Sequence, residues 1–556
     1  MKVKFIGATK GVSGSCSLLK HTKSNTNFLV DCGVYIGGSS ADWLNKQSFP
    51  FEPTEIQFVL LTHAHLDHCG LIPKLYKDGF VGKVFCTKAT AELAKIVMLD
   101  CAKNSRVYSE SDVYNVDFVH VDVRPNSGWG RLFPLAPDLR ASFLRGSHIL
   151  GSSSVCINWG FDDDSLSEGK TILFTGDIGC NFEDDSYLPL LKDNHYPFPD
   201  TDYIVIESTY GGRNREALYK SDENRLNALK DVIIENVFNN NGKLFIPAFS
   251  IHRTQEILFD IHRVFSSYID ADTLRKHLSE RTGYEKSKFA VYCDSPMGQK
   301  TNQVFAEELL RKNSKGKYIY KSDRIDSAIV EDLYQEGHVP IHEDLGYINV
   351  INRGNTQNKS KAKKKKQNHE GTGQIGSIII ASAGMCDAGP IVSYLEKYGS
   401  NENNTIAITG FQASGSMGRA ILDGNVPDIT AKVVDLSGYY SAHADENGLL
   451  KFLFDLGDHT QKRATSVFIN HGMSEAKDAL AQAILSRTEL LNVNEREITN
   501  VIKLNGEQDW FDLNTGQEFS IKEFKLDNIE EEFLALHNKV DKLTELVELL
   551  VSRSNE

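Results

Sequence analysis

The sequence has no long apolar run of the kind that crosses a bilayer. None of its apolar stretches approaches the length of a membrane-spanning helix, and the first residues, MKVKFIG, have the pattern of a strand and not of a secretory signal. We therefore expect neither a membrane span nor a membrane partner.

Paired cysteines are also missing. The nine cysteines are scattered through the chain, and no two of them form a CxxC pair. An odd number without close spacing argues against a disulfide framework and against a thiolate metal site. This pattern predicts a protein of the reducing cytoplasm.

The sequence has fewer basic than acidic residues. The formal net charge is −14, from 61 Lys and Arg against 75 Asp and Glu. This balance argues against a nucleic-acid partner, although a sum over the whole chain does not describe one groove. The length of 556 residues indicates two or three domains.

Metal-binding side chains are dense in residues 57–70, QFVLLTHAHLDHCG. The apolar run that ends at Leu61 predicts a buried strand. Four side chains that suit a zinc-like ion follow it: His63, His65, Asp67 and His68. Four are too many for one ion that keeps an open position. The pattern therefore predicts two ions, with His63 and His65 facing one and Asp67 and His68 the other. A polar turn with incidental histidines is the alternative interpretation.

HAHLDH resembles the signature of the metallo-β-lactamase superfamily, whose fold is two face-to-face β-sheets with helices outside and metals at one edge. The resemblance implies metal-assisted hydrolysis and does not choose the substrate. It also implies that Asp31 braces the metal loop, that His148 completes the first ion's shell, and that Asp177 bridges both ions.

Later stretches resemble the β-CASP branch of that superfamily, which processes nucleic acids. They are ESTYG from Glu207, IPAFSIHRTQE, CDSPM, SAHAD around His443 and NHGM around His471. The resemblance implies that His471 completes the second ion's shell and that His443, oriented by Glu207, protonates the leaving oxygen. Asp67 is expected to orient the attacking water as well as to bind metal.

Two positions depart from the branch's usual pattern. His252 stands where glycine is usual, and Met473 stands where an acidic residue is usual. Small residues with an arginine suit close approach to a phosphate, and four residues are predicted to bind RNA: Arg253, Ser382, Ser414 and Arg419. A surface position at a helix start is the equal alternative for Arg419.

The predicted fold class is α/β, a metallo-β-lactamase αββα sandwich interrupted by a β-CASP α/β domain with a mainly parallel sheet. The predicted bounds are 1–208 for the first part of the sandwich, 209–403 for the β-CASP domain, 404–510 for the second part and 511–556 for a C-terminal extension. Strand–helix alternation after Gly211 predicts the parallel sheet. The lysine-rich stretch 352–373 predicts a flexible loop, with an auxiliary phosphate-binding arm as the alternative.

The last stretch, 528–553, has an apolar heptad seam. Its members are Ile529, Phe533, Leu536, Val540, Leu543, Val547 and Leu550. This seam predicts a helix that forms a parallel homodimer. A terminal helix packed on its own chain is the alternative.

These features together predict a ribonuclease that cuts single-stranded RNA, internally or from a 5′ end, and holds two Zn²⁺, with Mn²⁺ as the other candidate metal. Hydroxide activated by the two ions would attack phosphorus, and the downstream fragment would keep a 5′-phosphate. A small-molecule hydrolase of the thioesterase or lactamase kind, a DNA-directed nuclease and a catalytically silent scaffold are the alternatives. The long insert and the Glu207/His443 pair argue against the small-molecule hydrolase, and the complete ligand set argues against the scaffold.

Overall fold

A computed structural model of the chain describes residues 1–123, 129–161, 169–180, 190–191, 200–282, 289–322, 325–342, 345–350, 377–413, 415–455, 465–489, 497–506 and 509–519. Three predictions fall outside these residues: the loop at 352–373, the RNA contact of Ser414 and the helix at 528–553. They stay predictions.

Short strands of mainly buried residues make up the framework of the molecule. In the N-terminal part they are β1 (Lys2–Phe5), β2 (Ser17–His21), β3 (Thr26–Val30), β4 (Ile56–Leu60), β5 (Lys83–Cys86), β6 (Phe118–His120), β7 (Phe133–Ala136), β8 (Leu139–Arg145), β9 (Ser153–Trp159), β10 (Lys170–Phe174) and β11 (Tyr203–Ile206). Further along they are β12 (Leu244–Pro247), β13 (Phe289–Asp294), β14 (His338–Ile341), β15 (Gly346–Val350), β16 (Ile378–Ala381), β17 (Thr405–Ile408), β18 (Lys432–Asp435), β19 (Thr465–Ile469), β20 (Ile498–Lys503), β21 (Trp510–Asp512) and β22 (Gln517–Phe519).

Two of the sheets in the described residues pack face to face. Their strand orders are β22-β21-β1-β2-β3-β4-β5-β6 and β20-β19-β11-β10-β9-β8-β7. Apolar side chains from both sheets, among them Phe28 and Phe58 from the first and Phe143 and Phe174 from the second, share one core. The sandwich predicted from the sequence is therefore confirmed.

Helices cover the outside of the sandwich and fill the inserted segment. They are α1 (Gly38–Lys46), α2 (Leu66–Cys69), α3 (Ile72–Lys77), α4 (Lys88–Ser105), α5 (Glu110–Tyr114), α6 (Asp222–Val232), α7 (Arg253–Ser267), α8 (Ala271–Thr282), α9 (Pro296–Leu310), α10 (Ser327–Val330), α11 (Pro390–Tyr398), α12 (Met417–Leu422), α13 (Glu446–Asp455) and α14 (Ser474–Thr488). Ser221 caps α6 by accepting a hydrogen bond from Asn224 N.

The third sheet lies in the insert and is mainly parallel, as predicted. Its order is β14-β15-β13-β16-β12-β17-β18, and only the β14–β15 pair is antiparallel among the described strands. Two of its strands, β17 and β18, follow residue 403, where the sequence predicted a return to the sandwich. The apolar strand at 405–408 pairs with β12 of the third sheet.

The C-terminal boundary also differs from its prediction at 510. Strand β21 pairs with β1, and β22 pairs with β21, so the first sheet continues beyond that residue. We propose that the inserted domain ends after Asp435 and that the sandwich extends to Phe519.

Several strands of the sandwich deliver their following residues to one edge. Strands β10, β11 and β19 are parallel neighbours, and β4 runs parallel to β3 in the facing sheet. Because the carboxyl ends of parallel strands meet at one edge, polar residues from distant parts of the chain gather there.

Candidate metal centre and active site

The first group of converging side chains comprises His63, His65, His148 and Asp177. One ligand atom from each lies within 4.8 Å of the others. His65 Nδ1 is 3.2 Å from His63 Nε2 and 3.0 Å from His148 Nε2. Asp177 Oδ2 lies 3.5 Å from the same two Nε2 atoms. The structure therefore brings four of the predicted ligands close together.

The second group comprises Asp67, His68 and His471. Their ligand atoms also lie within 4.8 Å of one another. His68 Nε2 is 3.1 Å from His471 Nε2, which is 3.5 Å from Asp67 Oδ2. The structure thus brings His471 to the pair from the HAHLDH loop.

Asp177 lies between the two groups. Its Oδ2 faces His63 and His148, and its Oδ1 lies 3.4 Å from His68 Nε2. Gly176 permits this position. Its φ is +58°, and a Cβ there would lie 2.9 Å from the Cβ of Thr62.

The donor set fits divalent cations. Thr62 Oγ1 donates to Asp31, so His63 Nδ1 donates to Thr62 Oγ1 (3.0 Å), and His148 Nδ1 donates to the Ala442 carbonyl (3.1 Å). The Nε2 lone pairs of His63 and His148 therefore point into the first group. Within the described part of the chain, Asp177 Oδ1 is buried and accepts no hydrogen bond. Converging lone pairs and a buried carboxylate oxygen without a hydrogen-bond donor repel one another unless positive charge lies among them.

Asp31 braces the HAHLDH loop. Its Oδ1 accepts a hydrogen bond from Thr62 N (2.8 Å), and its Oδ2 accepts one from His68 Nδ1 (2.7 Å). This contact turns His68 Nε2 toward the second group. Asp31 thus occupies the bracing position that the resemblance implied.

The pKa shifts divide the histidines into two sets. Burial lowers the pKa of His63, of His65 (to about 3) and of His148. Burial alone would also lower the pKa values of His68 and His471. The negative charge of Asp177 opposes burial at both rings. Asp31 adds to it beside His68, and Asp67 adds to it beside His471, so the pKa values of both histidines are raised.

The carboxylates shift in the opposite sense. Burial alone would raise the pKa values of Asp67 and Asp177. His471 and His68 lie beside both carboxylates. Their effect outweighs burial and lowers the pKa values of Asp67 and Asp177. Both carboxylates are therefore ionised at neutral pH.

His443 lies at the margin of this cluster. Its Nδ1 donates to Glu207 Oε1 (3.1 Å), and its Nε2 is 4.0 Å from Asp177 Oδ2. Its side chain is 21% exposed, whereas that of Glu207 is buried. Burial lowers the pKa of His443, but the Glu207 carboxylate outweighs burial and raises it to about 9.

Asp445 and Lys220 also hold the His443 loop, and the sequence analysis did not single them out. Lys220 Nζ lies 2.6 Å from Asp445 Oδ2, and Asp445 Oδ1 accepts from Gly448 N (3.0 Å). An aspartate directly before α13 has the signature of a helix cap, which is the signal that could have identified it.

The predicted RNA contacts lie apart from the metal ligands. Arg253 is buried, with its guanidinium carbon 5.3 Å from the ring centroid of Tyr440. Ser382 is buried beside β16. Arg419 is exposed, and its Nε donates to Asp423 (2.9 Å). Their contacts with RNA stay predictions.

Three family profiles match the chain in succession. They are the metallo-beta-lactamase superfamily over residues 9–134, the Beta-Casp domain over 254–421, and the Zn-dependent metallo-hydrolase RNA specificity domain over 426–494. These matches confirm the predicted resemblance to the β-CASP branch of the metallo-β-lactamase superfamily. The fold and the His/Asp cluster define a metal-dependent hydrolase with a divalent-metal site.

Similar proteins include named enzymes and factors. Ribonuclease TTHA0252 of Thermus thermophilus is 27% identical over 499 residues, which are 88% of this chain and 96% of the relative. Transcription termination factor FttA of Lokiarchaeum sp. is 26% identical over 493 residues, and the match covers 85% of this chain and 66% of that factor. A solved protein of unknown function from Enterococcus faecalis aligns over 90% of this chain and 97% of that chain, with 12% identity and a TM-score of 0.45.

Among the helices in the described ranges, none is both long enough and apolar enough to cross a bilayer.

Proposed function

We propose that this chain is a metal-dependent ribonuclease that hydrolyses phosphodiester bonds of single-stranded RNA. The observation that carries the proposal is the His443–Glu207 pair, which lies beside seven converging metal-ligand side chains. A proton donor at this place suits a reaction whose leaving group is a poorly acidic sugar oxygen.

The comparisons support RNA as the substrate. Both His443 and His471 fall in residues 426–494, the segment that matches the RNA specificity domain. The relative that the match covers almost completely, at 96% of its length, has the name ribonuclease. The match covers 66% of the length of the Lokiarchaeum termination factor, so that name belongs to a protein of which this chain matches only a part.

The residues of the chain have separate roles in this proposal. Glu207 holds the His443 ring through Nδ1, so Nε2 points toward the cluster and donates a proton to the departing 3′ oxygen of the upstream fragment. Asp67 orients the attacking water. A raised pKa of about 9 keeps His443 protonated at neutral pH. The downstream fragment keeps a 5′-phosphate.

Two zinc ions are the proposed metals, with Mn²⁺ as the other candidate. His63, His65 and His148 would hold one ion, Asp67, His68 and His471 would hold the other, and Asp177 would bridge them. When bound, divalent ions supply the positive charge that lowers the pKa of water and stabilises negative charge on a phosphoryl group.

A cytoplasmic location and a homodimer complete the proposal. The scattered cysteines support the location, and the heptad seam of 528–553 supports the dimer. Truncation after Asp527 should lower the oligomeric state measured by light scattering, and an unchanged oligomeric state would contradict the dimer.

Incubation of the zinc-loaded protein with end-labelled single-stranded RNA tests the function. Parallel reactions with 5′-triphosphate and 5′-monophosphate RNA distinguish internal cutting from cutting at a 5′ end. We expect RNA to be cleaved far faster than a thioester or a β-lactam. Comparable turnover of a thioester would instead indicate a small-molecule hydrolase.

A further inference from the structure

A buried ionic group in the inserted domain lies directly behind the His443 loop. Arg225 on α6 and Asp260 on α7 have fully buried side chains and form a two-point ion pair, with Nε 2.7 Å from Oδ2 and Nη2 3.1 Å from Oδ1. Asp222 accepts from Arg225 (2.8 Å) and from Arg263 (2.6 Å).

Stability alone does not account for a carboxylate at position 260. Asp260 is fully buried on α7, where Ile257, Ile261 and Val264 are also fully buried. Taking an ion pair out of water costs about as much as the attraction returns, and well-packed apolar residues often stabilise a fold as well. The Arg225–Asp260 pair is therefore not explained by stability alone.

Tyr440 connects the ionic group to the active site. Its side chain is buried, and its hydroxyl donates to Asp260 Oδ2 (2.8 Å). Two guanidinium groups lie over its ring, with the carbon of Arg225 5.6 Å and that of Arg253 5.3 Å from the centroid. Both the hydroxyl and the ring of Tyr440 are thus held by the inserted domain.

His443 follows Tyr440 by only three positions in the sequence. The Ala442 carbonyl accepts from His148 Nδ1 (3.1 Å), and His443 Nδ1 donates to Glu207 (3.1 Å). The segment is therefore fixed by the inserted domain at Tyr440 and by the sandwich immediately afterwards.

We propose that Asp260 and Tyr440 are positioning residues for the proton donor. The Arg225–Asp260 pair fixes the hydroxyl of Tyr440, and Tyr440 fixes the backbone from which His443 reaches Glu207. The inference rests on the proposed function, because that function assigns proton donation to His443. The inserted domain thereby takes part in positioning the proton donor.

Tyr440→Phe removes one hydroxyl and keeps the ring. On RNA we expect kcat to fall roughly 10- to 100-fold, the size of effect that small misplacements of a catalytic group produce. KM and metal content should not change. A nitrophenyl phosphodiester, whose leaving group needs no proton, should be cleaved as fast as by the wild-type protein.

Tyr439→Phe is the matched control. Tyr439 is the preceding residue, is also buried, and packs its ring 4.9 Å from that of Tyr219. Loss of its hydroxyl should leave RNA cleavage unchanged. Asp260→Asn should weaken the same step as Tyr440→Phe, and the double variant should lose little more than either single one, because both act on one contact.

An equal loss on both phosphodiester substrates, a change in KM alone, or loss of metal would overturn the inference. A readout independent of activity is the crystal structure of Tyr440→Phe, in which His443 Nδ1 should leave hydrogen-bond distance of Glu207. Wild-type protein that cleaves no RNA would contradict the proposed function. The crystallographic distance would still decide the positioning role, and an unchanged distance would exclude it.

Discussion

Two sets of histidines meet at the candidate metal centre, and they differ in what lies behind their rings. Neutral oxygens accept from Nδ1 of His63 and His148, namely the Thr62 hydroxyl and the Ala442 carbonyl. Carboxylates accept from Nδ1 of His68 and His443, namely Asp31 and Glu207. Burial lowers the pKa values of His63 and His148, whereas nearby carboxylates outweigh burial and raise those of His68 and His443.

The second set itself divides by the position of the other ring nitrogen. Nε2 of His68 lies 3.1 Å from Nε2 of His471, within a ligand group. His443 Nε2 lies at the margin, 4.0 Å from Asp177, on a side chain that is 21% exposed. We propose that a carboxylate at Nδ1 strengthens His68 as a ligand inside the cluster and retains a proton on His443 at its edge.

The largest effect is expected from His471→Ala. Removal of a ligand opens the second group, so both metal and RNA cleavage should be lost. Elemental analysis and an RNA assay measure this. His338→Ala, at an exposed histidine of the inserted domain, is the control and should keep both. Retention of full metal content would remove His471 from the ligand set.

His443→Ala should behave differently. It should keep its metal and still bind RNA, while the rate falls roughly 10²- to 10⁴-fold, the usual size of general acid catalysis. The loss should shrink on a nitrophenyl phosphodiester. If this variant loses a metal ion, or loses equal activity on both substrates, the roles of the two histidines must be exchanged.

Asp31→Asn tests the contribution of a carboxylate behind a ligand. The amide is a weaker acceptor for Thr62 N and His68 Nδ1, so His68 should be held less firmly. We expect metal affinity to fall about 10- to 100-fold. Competition with a zinc-binding dye measures it. Unchanged affinity would show that the loop holds its shape without this charge.

The pH dependence of RNA cleavage gives the smallest effect. The pKa of His443 is raised to about 9, so its proton is present at neutral pH and is lost as pH rises through that value. The rate should fall about tenfold per pH unit above it. In Glu207→Gln this alkaline decline should begin at a lower pH, because the charge that raises the pKa is gone. The same decline in His443→Ala would assign it to another group.

Local sequence patterns predicted much of this protein. His63, His65, Asp67 and His68 follow one buried strand directly, so their proximity needs no knowledge of the rest of the fold. Strand–helix alternation predicted the parallel sheet in the same way. The cap of α6 is equally local, because Ser221 accepts from Asn224 N, only three residues further along the chain.

Tertiary structure decided the features that depend on which strands become neighbours. Asp177 bridges two histidine groups because β4 and β10 deliver their following residues to the same edge, and nothing near Asp177 in sequence specifies that. The strand at 405–408 looks the same in either domain, and only its pairing with β12 places it in the insert.

Arg253 shows the same limit at a single side chain. Its contact with RNA stays a prediction, whereas the packing of its guanidinium over Tyr440, a residue far away in the sequence, is visible only in the tertiary structure. The sequence by itself determined the kinds of side chain at the site and their local spacing, because these follow from contiguous residues. Packing between distant segments determined which charges are buried together, and with them the different surroundings of His443 and His471.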